Sequence, residues 1–346
     1  MKAVYFNEQG DINKIKVGEV KIPPVHSNEV LIESKYAALN HLDLFTIKAV
    51  PGLTLSMPHI MGSDGSGIIK EVGAEVSLFS PGDRVLINPG ISCGKCFHCL
   101  AGKQNLCPDF VIKGEHINGT FAEFFTVPDI NVLKIPKDFS FVNAAGAPLN
   151  FLTAWRMVKS RANVQPNEFV FIHGAGGGVS SAAIQIAKLL GAIVITTTST
   201  KEKMEKAREI GADYVFNYIE ESNYSKKTYK DITNKKGVDV VIDSVGQATF
   251  NTSMRLLKPN GRLVTCGATT GPEVSIDIRR IFWNQLNILG STMSNQKEFR
   301  EVMELVFAKK LKPIIDKIFP IDQAAKAERY LQKGKQFGKV LLKISE

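Results

Sequence analysis

The chain has 346 residues, 44% of them hydrophobic, and this length exceeds what one hydrophobic core usually serves, so two domains are expected. The formal net charge is +9, but lysines alternate with acids in stretches such as 201–206. That pattern is typical of solvated helix faces and does not favour a nucleic-acid partner. Residues 1–8 contain no apolar signal core, and no window holds the ~18 apolar residues of a membrane helix. We therefore expect a cytoplasmic protein with no membrane or nucleic-acid partner.

Up to about residue 150, the sequence predicts short strands separated by turns. Residues 2–6, 29–34, 67–73 and 83–87 have the apolar or alternating pattern of strands. Pro-Pro and Pro-Gly pairs mark the connecting loops. The pattern indicates an all-β domain of moderate size.

Four of the five cysteines lie within fifteen residues, as Cys93, Cys96, Cys99 and Cys107, with the spacing C-x2-C-x2-C-x7-C. A Zn²⁺ ion binds four thiolates tetrahedrally, and closely spaced loop cysteines can supply them. Such a site has no open coordination position, so it predicts a structural zinc in a lobe near residues 92–108. Disulfides are the alternative, but nothing else in the sequence indicates secretion.

From about residue 150, strands alternate with helices. Residues 168–173 form a continuous apolar strand, as expected in a parallel sheet covered on both faces. Further strands are predicted at 192–197, 214–217, 238–243, 262–266 and 287–290, with helices at 180–190 and 201–210. The alternation predicts a doubly wound α/β domain. After it, a helix near 297–309 and a strand at 338–344 are expected, and the strand should return to the first domain.

A glycine-rich loop lies between the strand at 168–173 and the helix at 180–190. Glycines let the backbone approach a pyrophosphate, and a helix N-terminus offers free N–H groups. The alternative is a simple tight turn, but the strand–loop–helix context favours a dinucleotide. The residues predicted to bind the cofactor here are Gly174, Ala175, Gly176, Gly177, Gly178 and Val179.

The cofactor preference is predicted from the end of the second strand of this domain. An acidic residue there would hold the ribose 2′-hydroxyl, but residues 197–201 contain no carboxylate. Thr198, Ser199 and Lys203 are therefore predicted to contact a 2′-phosphate, which favours NADP(H) over NAD(H). The alternative is that the hydroxyls cap the next helix and the lysine lies in solvent.

Together these features resemble the medium-chain dehydrogenase/reductase family, which includes zinc alcohol dehydrogenases and quinone oxidoreductases. The resemblance covers the whole chain, and the sequences that carry it are Gly-Ser-Asp-Gly-Ser-Gly at 62–67, Gly-Thr-Phe-Ala-Glu at 119–123, the glycine loop, Val-Asp-Val-Val-Ile-Asp at 238–243 and Gly-Lys-Val at 338–340. It implies a GroES-like β domain, 1–150 with 291–346, and a Rossmann domain, 151–290. It also implies a homodimer or homotetramer.

The alcohol dehydrogenases of this family hold a second, catalytic zinc. Matched to this chain, the positions of its three ligands are Asn40, Ser63 and about Leu149, so no thiolate or imidazole is present. A metal site rebuilt from other side chains is an alternative, and its candidates are His41, Asp43, His59, Asp64 and His116. The quinone and enone reductases of the family lack this zinc, and the stretches at 38–40 and 148–155 are similar to that branch.

The sequence therefore predicts an NADP(H)-dependent reductase of a quinone or an α,β-unsaturated carbonyl, with no catalytic metal. Asn40 is the first candidate to donate a hydrogen bond to the acceptor oxygen, and His41 is the second, although a structural role for this histidine is weighed equally. The resemblance places Thr153, Gly267 and Ala268 beside the cofactor. Phe45 and Trp283 are interpreted as core residues. The aromatic walls of a substrate pocket are the alternative for that pair.

Two other functions stay open at this point. One is an alcohol dehydrogenase with an atypical metal site. The other, from a different class, is an NADPH-binding structural or RNA-binding protein, which the dispersed charge supports poorly. The sequence does not identify the hydride acceptor or choose between a dimer and a tetramer.

Overall fold

The computed structural model describes residues 1–48 and 52–346. They form two compact units, one made of Met1–Leu149 with Ser294–Glu346 and the other of Asn150–Met293. The limits expected from the sequence differ from these by one and three residues. None of the helices in the described part of the chain is long and apolar enough to cross a bilayer.

The strands follow the predicted positions closely. In the first part of the chain they are β1 (Lys2–Phe6), β2 (Lys16–Glu19), β3 (Glu29–Ala38), β4 (His59–Ile60), β5 (Asp64–Val72), β6 (Arg84–Ile87), β7 (Gly90–Ile91), β8 (Val111–Ile112), β9 (Phe124–Pro128) and β10 (Val132–Lys134). The middle of the chain contributes β11 (Phe169–Ile172), β12 (Ile193–Thr198), β13 (Tyr214–Asn217), β14 (Val238–Asp243), β15 (Leu257–Thr265) and β16 (Asn287–Gly290). The last part contributes β17 (Ile315–Pro320) and β18 (Lys339–Lys343).

Both units contain α-helices. In chain order they are α1 (His41–Ile47), α2 (Phe97–Leu100), α3 (Phe141–Ala145), α4 (Pro148–Trp155), α5 (Gly178–Leu189), α6 (Lys201–Glu209), α7 (Tyr224–Lys227), α8 (Phe250–Leu256), α9 (Ile278–Asn284), α10 (Gln296–Phe307) and α11 (Ala324–Gln332). The amphipathic helix predicted near 297–309 is α10, whose N-cap Asn295 accepts the N–H of Glu298 at 2.8 Å.

The register of the main sheet in the first unit brings distant residues together. Its strand order is β10-β6-β5-β3-β18-β17, and β9 also pairs with β3. Ala38, at the end of β3, is paired with Asp64 on one side and with Leu341 on the other. Because β3 and β18 are antiparallel, the same register places Lys339 opposite Asn40. As predicted, the last strand returns to the first unit.

Two glycines lie just before β5 and β18, at positions where no side chain would fit. Gly62 has φ +93°, and a Cβ there would lie 2.1 Å from a ring carbon of Phe121. Gly338 has φ +95°, and a Cβ there would lie 2.3 Å from the carbonyl oxygen of Ile314. Both positions exclude a side chain through backbone conformation and space alike. Each lies within two residues of a charged residue of the candidate site.

The second unit contains a six-stranded parallel sheet, which confirms the predicted doubly wound α/β fold. Its order is β13-β12-β11-β14-β15-β16. Every residue of β14 is buried, as expected for a strand covered on both faces. Phe171, Val241 and Leu263, from three neighbouring strands, lie in the same core cluster.

One core assignment was wrong. The side chain of Trp283 on α9 is 82% exposed, and Phe282 beside it is 62% exposed. Ile281 is the residue of α9 that packs against the core of this unit. Trp283 follows it by two residues, about 200° around the helix, and therefore points away from the sheet. Phe45 is partly buried.

Candidate functional site

The cysteine lobe brings its four sulfur atoms together. Strands β7 and β8 pair as an antiparallel ladder, which brings the two ends of the lobe close. The side chains that meet are Cys93, Cys96, Cys99 and Cys107, whose sulfur atoms all lie within 4.8 Å of one another. Among residues 1–48 and 52–346, this is the one group of three or more Cys, His, Asp or Glu side chains that close.

The geometry of the lobe fits a tetrahedral zinc ion. The Sγ atom of Cys93 lies 3.5 Å from that of Cys107 and 4.0 Å from that of Cys99. These separations are close to the edge of about 3.8 Å of a tetrahedron with Zn–S bonds of about 2.3 Å. They are too long for a disulfide, in which the sulfurs are about 2.05 Å apart. Hydrogen bonds from the N–H groups of Lys95 and Cys96 lower the pKa of Cys93 to about 7, whereas burial and the neighbouring thiols raise the pKa of Cys107 to about 11 despite the N–H of Cys93.

A second cluster lies where β3, β5 and β18 meet. The ammonium group of Lys339 donates to Oδ1 of Asn40 at 2.6 Å and to Oδ2 of Asp64 at 3.0 Å. The amide nitrogen of Asn40 donates to the same Oδ2 at 3.0 Å and to the carbonyl of Ala38 at 3.2 Å. All three side chains are at least nine-tenths buried. The amide of Asn40 therefore has its oxygen and both hydrogens engaged within the protein.

Backbone groups hold the carboxylates of this cluster in place. The other oxygen of Asp64 accepts the N–H of Leu149 at 2.8 Å. Asp43, in the first turn of α1, accepts the N–H of Asn40 at 2.7 Å. Burial raises the pKa of Asp43 to about 7, against the lowering effects of the Asn40 N–H and Lys339. The cluster thus combines a buried ion pair with a carboxyl group that titrates near neutral pH.

Glu328 is a buried acid that the sequence analysis missed. It lies on α11, and burial raises its pKa well above the usual range, with a further rise caused by Asp43. Neither of its carboxylate oxygens has a hydrogen-bond partner among the described residues. A signal for it exists in the sequence, because Glu328 occupies the face of α11 that also carries Ala324, Ala327 and Leu331, all buried. Lys339 was also missed. It is the first residue of β18, whose three middle residues are apolar.

The residues of the alternative metal site do not assemble. The ring of His59 hydrogen-bonds the carbonyl of Gly114 through Nε2 at 3.1 Å. The Nδ1 atom of His116 accepts the N–H of Ile112 at 3.2 Å. Within the part of the chain that the structure describes, neither histidine joins a group of ligands close enough to share an ion. Ser63 is fully buried, and its hydroxyl has no partner among the described residues.

His41 is the first residue of α1 and follows Asn40 directly. Burial lowers its pKa below the ordinary value of 6.5, and the charge of Lys339 lowers it further. The imidazole is therefore neutral at pH 7 and retains one N–H group that can donate. His41 and Asn40 belong to the first unit, whereas Thr153, buried on α4, belongs to the second.

The glycine loop lies in the second unit, at the carboxyl end of the parallel sheet. The N–H of Gly174 donates to the hydroxyl of Thr197 at 3.2 Å, and the N–H of Ala175 donates to the carbonyl of Thr197 at 2.9 Å. Helix α5 begins directly after Gly177, whose position at the N-cap provides no side chain to bind the first N–H groups. This arrangement fits the pyrophosphate of a dinucleotide.

The other residues predicted to contact the cofactor also follow sheet strands. Thr198 is the last residue of β12 and is buried, whereas Ser199 and Lys203 are partly exposed. Thr200 caps α6 by accepting the N–H of Lys203 at 3.2 Å, so one hydroxyl of this segment has the capping role that was the alternative. Gly267 and Ala268 follow β15, and their segment is linked to the loop after β14 by a bond from the Thr270 N–H to the carbonyl of Val245 at 2.9 Å.

Comparison with known proteins shows which families two parts of the chain match. Residues 26–137 match the family described as alcohol dehydrogenase GroES-like domain, and residues 178–308 match zinc-binding dehydrogenase. The GroES-like domain expected from the sequence is thereby confirmed. Its match includes the cysteine lobe and Asp64.

Relatives are similar to this chain over its whole length. An NAD-dependent alcohol dehydrogenase of Sulfolobus acidocaldarius is 32% identical, with 100% of both chains covered. An acryloyl-coenzyme A reductase of Metallosphaera sedula is 30% identical, with 99% of both covered. The crystal structure of an NAD-dependent alcohol dehydrogenase superposes with a TM-score of 0.95 at 41% identity, with both chains fully covered. The chain is therefore an oxidoreductase of the medium-chain dehydrogenase/reductase family, similar to its zinc-type alcohol dehydrogenases.

Proposed function

We propose that this protein is an NADP(H)-dependent reductase of a quinone or an α,β-unsaturated carbonyl compound and uses no catalytic metal. The observation that carries the proposal is the buried contact of the Lys339 ammonium group with Asn40 and Asp64. Asn40 is one of the three positions that the family resemblance assigns to the ligands of the catalytic zinc, and Asp64 directly follows the second, Ser63.

The residues at these positions do not fit a catalytic zinc. Asn40, Ser63 and Leu149 offer an amide, a hydroxyl and an alkyl group in place of thiolates and imidazole, the usual ligands of zinc. The amide oxygen of Asn40, the atom that could bind a metal, already accepts a hydrogen bond from the ammonium group of Lys339 at 2.6 Å. That ammonium group is in turn paired with the carboxylate of Asp64 at 3.0 Å.

The lack of zinc-binding side chains at positions 40, 63 and 149 decides which acceptors suit the site. Oxidation of an alcohol near neutral pH needs a Lewis acid to stabilise the alkoxide. A quinone or a conjugated carbonyl accepts hydride without one, because conjugation spreads the developing negative charge. A nicotinamide cofactor supplies the hydride when bound.

His41 and Asn40 have different roles in this proposal. Because both amide hydrogens of Asn40 are engaged with Asp64 and Ala38, we propose that it positions Lys339 and Asp64. The neutral imidazole of His41 is then the better candidate to donate a hydrogen bond to the acceptor oxygen. In His41→Phe, turnover should fall by about 10²-fold while the zinc content stays at one per chain.

The prediction for Asn40 separates the two roles. Asn40→Ala should lower turnover with little change in zinc content or fold. Asn40→Asp keeps an oxygen near Lys339 and should retain more activity than Asn40→Ala if positioning is the role of this residue. Equal losses in the two variants would favour direct donation by the amide, and unchanged turnover in Asn40→Ala would remove Asn40 from the mechanism.

The substrate class is supported by one relative and by the chemistry of the site. The acryloyl-coenzyme A reductase named above reduces a thioester whose carbonyl is conjugated with a double bond, which is the type of acceptor that needs no metal. A suitable panel is acryloyl-coenzyme A, cyclohexenone and 1,4-benzoquinone with NADPH, beside ethanol with NADP⁺ and NAD⁺. The protein is first dialysed extensively against metal-free buffer, and its zinc is counted in the same sample.

Two outcomes of that experiment distinguish the candidates. One zinc per chain with reduction of a conjugated acceptor supports the proposal. Two zinc ions per chain with alcohol oxidation would replace it with the second candidate, an alcohol dehydrogenase with an atypical metal site. The names of the relatives favour that candidate, whereas the side chains at 40, 63 and 149 do not.

The preference for NADP(H) is proposed from the absence of a carboxylate at the end of β12. Relatives are named NAD-dependent, so the preference is tested by direct binding. The Kd of NADPH should be lower than that of NADH, and Lys203→Ala should weaken NADPH binding by about 5- to 10-fold with little effect on NADH. Lys236→Ala, in the same unit but beyond β13, is the matched control. Equal Kd values for the two cofactors in the unaltered protein would show that the preference is wrong.

A further inference from the structure

A chain of buried hydrogen bonds lies behind the proposed dinucleotide site. The ring nitrogen Nε2 of His173 lies 2.9 Å from the hydroxyl of Ser253, and that hydroxyl donates to Oδ2 of Asp243 at 2.7 Å. All three side chains are at least 98% buried. None of these residues belongs to the glycine loop or to the expected contacts of the cofactor.

The topology of the sheet shows why this position matters. The chain runs from β11 through α5 to β12 on one side, and from β14 through α8 to β15 on the other. The strand order therefore reverses between β11 and β14, which are neighbours in the sheet. In doubly wound sheets, ligands bind in the crevice outside the carboxyl ends of the strands at such a switch point.

The hydrogen-bond chain connects the ends of these two strands. His173 follows β11 directly and precedes the glycine loop, and Asp243 is the last residue of β14. Ser253, on α8, is the bridge between them. The hydrogen-bond chain thus links the two loops that flank the crevice.

The two ends of this hydrogen-bond chain, His173 and Asp243, also accept hydrogen bonds from the residues that follow them. The carbonyl of His173 accepts the hydroxyl of Ser180 at 2.7 Å, which closes the glycine loop onto the first turn of α5. The Oδ1 atom of Asp243 accepts the N–H groups of Val245 and Gly246 at 2.8 and 3.1 Å. The side chain of Ser180 therefore contributes a hydroxyl that holds the loop against the helix.

The proton positions follow from the donors available. The hydroxyl of Ser253 has one proton, which it gives to the Asp243 carboxylate, so it can only accept from His173. The imidazole must therefore carry its proton on Nε2. Burial lowers the pKa of His173 to about 4, so this neutral tautomer is the form present near pH 7.

We infer that Ser253 is a positioning residue for the dinucleotide, because its hydroxyl bridges His173 and Asp243 and so fixes the spacing of the two loops at the switch point. The inference rests on the proposed cofactor binding of this unit. It predicts that loss of the bridge weakens cofactor binding while the hydride step itself is little changed.

The test compares Ser253→Ala with Ser181→Ala. Ser181 is a similarly buried serine of the same unit, but among the described residues its hydroxyl bonds to the carbonyl of Gly178, in its own helix, and does not link two strands. The Kd of NADPH is measured by fluorescence titration, without any acceptor. Ser253→Ala should raise the Kd about tenfold, as expected for the loss of a hydrogen bond to a charged group, and Ser181→Ala should change it less than twofold.

Two more variants keep the test decisive. Ser253→Thr retains the hydroxyl and should bind NADPH within about threefold of the unaltered protein. Ser180→Ala removes the separate bond to His173 and should raise the Kd about fivefold, which provides a reading even if Ser253→Ala does not fold. At saturating NADPH, kcat with the conjugated acceptor should stay within about twofold in all four variants.

The results that overturn the inference differ from those that overturn the proposed function. If the unaltered protein binds NADPH and both Ser253→Ala and Ser180→Ala bind it equally well, the positioning role is wrong and the proposed function stands. An equal loss in Ser181→Ala would likewise remove the role, because any buried serine would then do the same. If the unaltered protein binds no dinucleotide, both proposals fall.

Discussion

The ammonium group of Lys339 lies 3.0 Å from the carboxylate of Asp64, although 275 residues separate them along the chain. Both side chains are almost fully buried, at 3% and 0% exposure. A buried ion pair of this kind has a high desolvation cost, so its loss on one side leaves an uncompensated charge. This relationship has a direct consequence for stability.

Lys339→Met should lower the free energy of unfolding by about 3–5 kcal/mol, because it leaves Asp64 buried and unpaired. Lys343→Met is the matched control on the same strand. Its ion pair with Glu346 is exposed to solvent, which screens it, so this variant should lose far less stability. Urea unfolding of both variants measures the difference. The double variant Lys339→Met with Asp64→Asn should recover part of the loss, and a single variant as stable as the control would contradict the expectation.

Removal of zinc should destabilise the first unit. Cys99→Ser should abolish stoichiometric zinc binding and lower the Tm by an amount on the order of 10 °C, because a structural zinc site contributes folding free energy directly. Cys266→Ser is the control, since burial raises the pKa of that thiol to about 12 and it lies outside the lobe. Metal analysis and thermal unfolding check the pair. Zinc retained in full by Cys99→Ser would show that the lobe does not hold it.

Asp43 should make the protein less stable as the pH rises toward neutral. Its pKa is about 7 in the folded chain against an ordinary value of 3.8, so between these values the folded state holds a proton that the unfolded state has released. The stability this provides is fully present below the ordinary pKa and is lost as the pH rises through 7, by roughly 4 kcal/mol in total. Asp43→Asn should remove this dependence of the unfolding free energy on pH.

Unfolding free energies between pH 4 and pH 8 measure the effect as the difference between the two proteins. The charged groups that act on Asp43 are Lys339 on β18 and Asp64 on β5, and Asp43 in turn raises the pKa of Glu328 on α11. Asp138→Asn, which alters an exposed carboxylate of the same unit, should leave the slope unchanged. Parallel curves for Asp43→Asn and the unaltered protein would contradict the prediction.

His173 should have the opposite effect at lower pH. Burial lowers its pKa to about 4 from an ordinary value of 6.5, so the unfolded state takes up a proton first as the pH falls. Stability is therefore unaffected above 6.5 and is lost as the pH falls toward 4, by roughly 3 kcal/mol. In His173→Gln, this loss should be absent. Because the effects of His173 and Asp43 overlap, each is measured against its own variant, and a His173→Gln curve with the same acid loss would contradict this assignment.

Much of the architecture could be predicted from local pattern. The continuous apolar run at 168–173, which forms β11, is typical of a parallel strand, and the spacing of the four cysteines predicts a compact lobe. The helix at 297–309 was found within two residues of its limits, since its apolar spacing and Asn cap are local signals.

The residues that were missed depend on long-range pairing. Lys339 entered the sequence analysis only as part of the Gly-Lys-Val sequence at 338–340, and only the register of β18 against β3 places its ammonium group beside Asn40. Glu328 interrupts an apolar helix face, a signal visible in the sequence but without meaning until α11 is known to face a buried cluster. The hydroxyl of Ser180 closes the glycine loop by donating to the carbonyl of His173, a contact that no local pattern indicates. Such roles arise from contacts between elements, which periodicity does not report.

The position of β18 also bears on how the protein is made. A ribosome delivers the whole of the second unit, Asn150–Met293, before it reaches this strand. The middle of the chain can therefore fold during synthesis, whereas the main sheet of the first unit waits, with the edge of β3 open, for a strand that starts 299 residues after Asn40. An exposed strand edge is a template for wrong pairing. The interval before β18 arrives is thus the period in which the nascent chain is most prone to aggregate or to need a chaperone.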